Sequence, residues 1–159
     1  MHKKKLVAAG LVAALTLGIA GAAFAYFTAT GSGTGNATTG TATPWTVTAA
    51  PATGMMFPGG GVSTVPFTVT NPNAGALTYT TLTAAVPADT DGNITSGGAP
   101  VVGCLASWFT AVAGTPSVGP GSIAGGGSFT VAVAVMMGDS GTNQDPCQGA
   151  TPDVTLTVS

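Results

Sequence analysis

Between residues 129 and 137 the chain alternates with a period of two. Phe129, Val131, Val133, Val135 and Met137 fall on one side, and Thr130, Ala132, Ala134 and Met136 on the other. Successive side chains of a strand point to opposite faces, so this run predicts a β-strand with one buried face. A helix would scatter the same five apolar residues around its circumference and leave no surface to build a core on. The rule recurs along the chain. Over 62–70, Val65, Phe67 and Val69 share one face, and Thr64, Thr68 and Thr70 the other. Trp45, Val47 and Ala49 alternate with Thr46 and Thr48, and Val154, Leu156 and Val158 close the sequence in the same way.

Turn chemistry divides these runs. Phe57-Pro58-Gly59-Gly60 marks a turn in a loop over 51–61, and residues 71–75 (NPNAG) turn the chain again. Residues 77–86 read as one strand whose apolar parity shifts between Tyr79 and Leu82, which predicts a bulge or bend. Residues 89–100, 114–127 and 139–151 read as loops, and Val101-Val102 and 107–112 as short strands around Cys104. Pro66 lacks a ladder donor, which predicts that its strand lies at an edge or is bulged. Six to eight short strands with frequent turns, rich in Thr, Val and Gly, predict an all-β fold. The expected architecture is an Ig-like β-sandwich with Greek-key connections behind an N-terminal signal helix.

That helix is expected from the start of the chain. Lys3, Lys4 and Lys5 precede an apolar run over 6–24 that closes on Ala23-Phe24-Ala25, followed by Tyr26-Phe27-Thr28. A basic n-region, an apolar h-region and a small-x-small end are the parts of a secretory signal peptide. Ala23 and Ala25 take the small positions, signal peptidase cuts after Ala25, and Tyr26 becomes the new N-terminus. An uncleaved anchor is the alternative, because the run is long enough to span a bilayer. The expected organisation is a signal peptide at 1–25, a flexible Gly/Ser/Thr segment at 26–42 and a β-sandwich domain at 43–159, in a secreted or cell-surface protein.

Beyond the leader there is no Lys, Arg, His or Glu; the charges are Asp89, Asp91, Asp139, Asp145 and Asp153. With no cation to neutralise phosphates, nucleic-acid binding is excluded, and contact with membrane is left to the leader. Enzyme chemistry has little to draw on. A Ser nucleophile has no His base, and acid–base work would fall to aspartates alone. Cys104 and Cys147 in an exported chain predict a disulfide, since two thiols without His are too few for zinc. The Asp89-Thr90-Asp91-Gly92-Asn93 stretch offers Asp89, Asp91 and Asn93 as candidate calcium ligands, the one cofactor the residues suggest. Its alternative is a polar turn, because Asp, Gly and Asn are turn formers and EF-hand spacing is absent. Asn36-Ala37-Thr38 and Asn93-Ile94-Thr95 match the glycosylation acceptor pattern, and Trp45 and Trp108 are either core residues or sugar-stacking platforms.

Several stretches together resemble a known family. Ala25-Tyr26-Phe27-Thr28, followed by Asn36-Ala37-Thr38-Thr39-Gly40-Thr41, is similar to the SipW-type signal peptide and early mature region of TasA/camelysin-like proteins. Pro58-Gly59-Gly60 and the strand end Val69-Thr70-Asn71 are similar to their turn and following strand. Residues 104–109 and 145–151 resemble small exported proteins of Gram-positive bacteria that carry this leader. The resemblance implies a secreted β-sandwich, in some members a subunit of biofilm-matrix fibres. One branch is labelled a metallopeptidase, and here the chain departs from it, since no His or Glu follows the leader. The expected function is therefore a non-enzymatic structural or cell-surface protein that self-associates, or joins related surface proteins, by β-strand addition. Tyr26, Phe27 and Thr28 are the candidate donor strand. The alternative is an extracellular binding module for carbohydrate, cell wall or calcium.

Overall fold

Phe129, Val131, Val133, Val135 and Met137 are all buried, and the residues between them are exposed or half-buried. A computed structural model describes residues 40–159. The strands are β1 (Thr46–Ala49), β2 (Met56–Phe57), β3 (Gly60–Gly61), β4 (Ser63–Thr70), β5 (Leu77–Tyr79) and β6 (Leu82–Ala85). They continue as β7 (Asn93–Ser96), β8 (Ala99–Leu105), β9 (Phe109–Ala113), β10 (Gly121–Ile123), β11 (Ser128–Met137) and β12 (Thr155–Val158). Two 3-10 turns, Ala106–Trp108 and Asp145–Cys147, interrupt them. The fold is all-β, with one four-stranded antiparallel sheet ordered β1-β4-β11-β9 and four two-stranded antiparallel pairs, β10-β5, β12-β6, β2-β3 and β7-β8. The leader, the cleavage site Ala23-Phe24-Ala25 and the candidate donor strand Tyr26-Phe27-Thr28 lie outside the described residues.

The main core forms where the inner face of the four-stranded sheet meets the smaller pairs. Phe67, Val69, Phe129, Val131, Val133 and Val135 supply that face, and Tyr79, Ile123 and Leu156 close over it. Tyr79 stacks on Phe129 with ring centroids 4.5 Å apart, and half-buried Trp45 meets both rings edge-on. Trp45 is thus a core residue. Each of these large side chains contributes about 1.5–3 kcal/mol by leaving water. A second cluster gathers Ile94, Cys104, Met137 and Cys147, with Trp108 packed against it.

Pro66 is accommodated differently from the edge position expected. Its strand is interior, between β1 and β11. Asn71 pairs with Gly127 on the β11 side, and Pro66 accepts a hydrogen bond from Ala50 on the β1 side. Backbone groups of alternate residues point to opposite neighbours, so the missing Pro66 donor faces β1. There the ladder slips. Ala50 lies opposite Pro66, but the next paired residues are Thr53 and Thr64, leaving Pro51 and Ala52 opposite Val65. The bulge expected from Pro66 therefore sits on the neighbouring chain, beside the residue that cannot donate.

Four other expectations are corrected. Residues 77–86 form two strands, β5 and β6, that serve different partners, β10 and β12. The break falls at Thr80 and Thr81, whose amides both bond the backbone oxygen of Ser159. Residues 89–100 are not all loop, because β7 and β8 make a hairpin through Gly97 and Gly98. Their φ values of +57° and +80° suit the two central positions of a type I′ turn. Trp108 belongs to a 3-10 turn before β9, and the 114–127 loop contains the short strand β10.

Candidate functional site

The candidate calcium ligands fall in one turn, where the Asp89 carboxylate is bonded to the Asp91 backbone and to Asn93. The Asp89 carboxylate accepts from the Asp91 amide at 2.9 Å and the Asn93 amide at 2.7 Å. It also accepts from the Asn93 side-chain amide at 3.1 Å. The backbone closes the same turn, with Asp89 donating to Asn93 and Gly92 donating to Asp89. Asn93 is buried, and its side-chain oxygen Oδ1 accepts from the Gly103 amide at 2.9 Å. These bonds make a polar turn in which one acceptor satisfies several local amides. The Asn93 side-chain bond, with backbone bonds in support, holds the Asp89 carboxyl below its ordinary pKa. Among the described residues no group of three or more His, Cys, Asp or Glu side chains is placed to hold a metal.

Cys104 and Cys147 form the expected disulfide, with Cα atoms 4.9 Å apart. It joins β8 to the 3-10 turn Asp145–Cys147, inside the second cluster. Gly103 is required at this crossing. Its φ is +85°, and a Cβ there would meet the Pro146 ring at 3.2 Å. Asp153 fastens the same region from the other end. Its two carboxylate oxygens accept from the amides of Gly97 and Gly98, each at 2.9 Å, gripping the β7–β8 turn. The Gly98 bond first, then the Thr95 hydroxyl and the Gly97 amide, holds this carboxyl below its ordinary pKa.

One concavity among the described residues is not foreseen from the sequence. A cleft of about 770 Å³ opens between the β2–β3 hairpin and the 139–152 loop. Its floor is Val65, Val135, Met137 and Phe109, from strands of the main sheet. Met55, Met56 and Phe57 line one side, with Met55 76 % and Phe57 60 % exposed. Asp139 and Asp145 stand on the opposite loop. Pro58 and Gly59, the latter at φ +72°, form the hairpin turn, and the Gly59 amide bonds Met137 at 3.0 Å, fixing the hairpin tip to the end of β11. Buried Gln144 holds the facing loop through Gly138 and Ser140. The lining offers apolar burial, neutral hydrogen-bonding groups and two carboxylates. One signal was present in the sequence: Met55-Met56-Phe57 is a large apolar group inside an expected loop, with no strand pattern to bury it.

Among the described residues no helix is long and apolar enough to cross a membrane. No protein-family model, curated protein or solved structure matches the chain.

Proposed function

We propose that this chain is a secreted, non-enzymatic structural or cell-surface protein of the TasA/camelysin-like kind, an Ig-like sandwich with Greek-key connections whose subunits join by strand addition. The observation that carries this reading is the edge strand β1. Among the described residues it ends the sheet order, and its sequence, TVTA, has no charge or proline to block pairing. The Ala50–Pro66 bond sets which backbone groups face β4, so those of Val47 and Ala49 face outward. An incoming strand of a second subunit, with Tyr26-Phe27-Thr28 as candidate donor, would pair with those groups. Export with signal-peptidase cleavage after Ala25 belongs to the same reading, and the mass of the secreted form tests it.

Electron microscopy and sizing of the purified protein test the assembly. Fibres or oligomers are expected, and deletion of 26–42 is expected to abolish them. Ala49→Pro removes an outward donor without costing a bond to β4, so it should block assembly and leave the thermal midpoint nearly unchanged. A strict monomer at high concentration contradicts the reading. The second reading, a binding module for carbohydrate, cell wall or calcium, is favoured by the cleft. Glycan-array, wall pull-down and calcium-titration experiments on the monomer separate it from the first.

A further inference from the structure

We propose that the cleft between the β2–β3 hairpin and the 139–152 loop docks an apolar peptide segment flanked by Lys or Arg, and that this segment belongs to a different exported protein. The apolar part of the claim follows from the floor. Val65, Val135 and Met137 are core-facing positions of β4 and β11, and all three line the cleft. A side chain set on them is removed from water, and the exposed Met55 and Phe57 gain a partner. Methionine is unbranched and polarisable, so a wall of Met55 and Met56 adapts to different apolar shapes. The peptide part follows from the neutral groups along the facing loop. Asn143, Gln148 and Thr151 line the cleft, and their amides and hydroxyl pair well with a peptide backbone. The volume, about 770 Å³, is that of a ligand cleft: room for a few side chains and not for a domain.

Charge decides the source of the segment. Asp139 and Asp145 are exposed at the cleft, and after Lys5 the chain has no Lys, Arg or His. With the leader removed by the cleavage proposed above, on which this step rests, a segment from a second copy would bring aspartates or nothing to these carboxylates. A segment with flanking cations is drawn to them, and the attraction lies at the rim, where it steers and selects more than it tightens. The cleft therefore selects a foreign strand or tail, whereas the uncharged β1 edge carries no such preference.

The test is a titration of the purified protein with two synthetic peptides of alternating valine and threonine, one ended by lysine pairs and the other by glutamate pairs. Binding is read by the methyl resonances of Met55, Met56 and Met137. The lysine peptide should bind at least about fivefold more tightly, a preference that fades as salt rises. Asp139→Asn with Asp145→Asn should erase the preference, and Asp139→Lys with Asp145→Lys should reverse it toward the glutamate peptide. Equal binding of both peptides, binding of neither, or shifts confined to other residues would overturn the proposal. So would loss of self-assembly in the asparagine variant, since that would make a second copy the occupant. Assembly at β1 is read separately by sizing with Ala49→Pro, so either reading can fail without the other.

Discussion

The two hydrophobic clusters of this molecule are held by different means. The main core is a register of alternating side chains. Phe67, Val69, Phe129, Val131, Val133 and Val135 face inward because β4 and β11 pair without slip from Thr70↔Ser128 to Ser63↔Val135. The second cluster is small, Ile94, Cys104, Met137 and Cys147, and its strands β7 and β8 pair with a register shift between Asn93 and Thr95. Here the chain is held by the disulfide, the Asp89–Asn93 turn, the Asp153 grip on Gly97 and Gly98, and Gln144. Apolar burial organises one region. A covalent link and side-chain acceptors for backbone amides organise the other.

The largest expected effect comes from cutting into the register. Phe129→Ala removes the ring that stacks on Tyr79 and meets Trp45, and should cost about 4 kcal/mol in denaturant unfolding. The same cost from Met137→Ala would erase the distinction between the clusters. Replacing Cys104 and Cys147 with serine frees a loop whose ends are 43 residues apart. In the chain-entropy model this costs up to about 4 kcal/mol, and the loss should appear first in β7, β8 and the 139–152 loop.

Asn71 links loops that the main core alone would leave apart, and it sharpens the comparison. It is fully buried at the end of β4, and its side-chain amide donates to Gly75, Ile123 and Ala124 at 2.9, 3.0 and 3.1 Å. Its oxygen accepts from the Asn73 amide. Asn71→Ala strands those carbonyls and should cost about 3 kcal/mol, visible as a lower thermal midpoint.

The smallest effect is electrostatic and belongs to the second region. The Asp153 carboxyl is held below its ordinary pKa when folded, so its stabilisation is complete above the usual aspartate range. That stabilisation is lost as pH falls through the folded value, below about pH 4. Asp153→Asn should cost about 1 kcal/mol at neutral pH after allowance for solvent screening, and the gap from the parent protein should close in acid. Asp89 shifts in the same direction, so acid should loosen the β7–β8 end before the main sheet.

This contrast also explains what could be read from the sequence. Strands β1, β4, β11 and β12 were legible because a half-buried strand writes its own period into the chain. The disulfide was legible because only two cysteines exist. The β7–β8 hairpin was not, although Gly97-Gly98 is a turn signal. Only Ile94 is a large buried apolar residue in β7, and Asp153, which grips the turn, is 55 residues away from Gly98. The split of β5 from β6 depends on Ser159, and the cleft is assembled from four separate stretches of chain. Local pattern carries no record of such partners. Pro66 is the instructive middle case: its missing donor is legible in the sequence, but the place of the bulge is a property of its neighbour.

Native-state hydrogen exchange with and without reductant tests the central claim most directly. Reduction of Cys104–Cys147 should strip protection from the amides of β7, β8 and the 139–152 loop while those of β4 and β11 keep theirs. Equal loss of protection in β4 and β11 would show that the two clusters unfold as one unit and contradict this account.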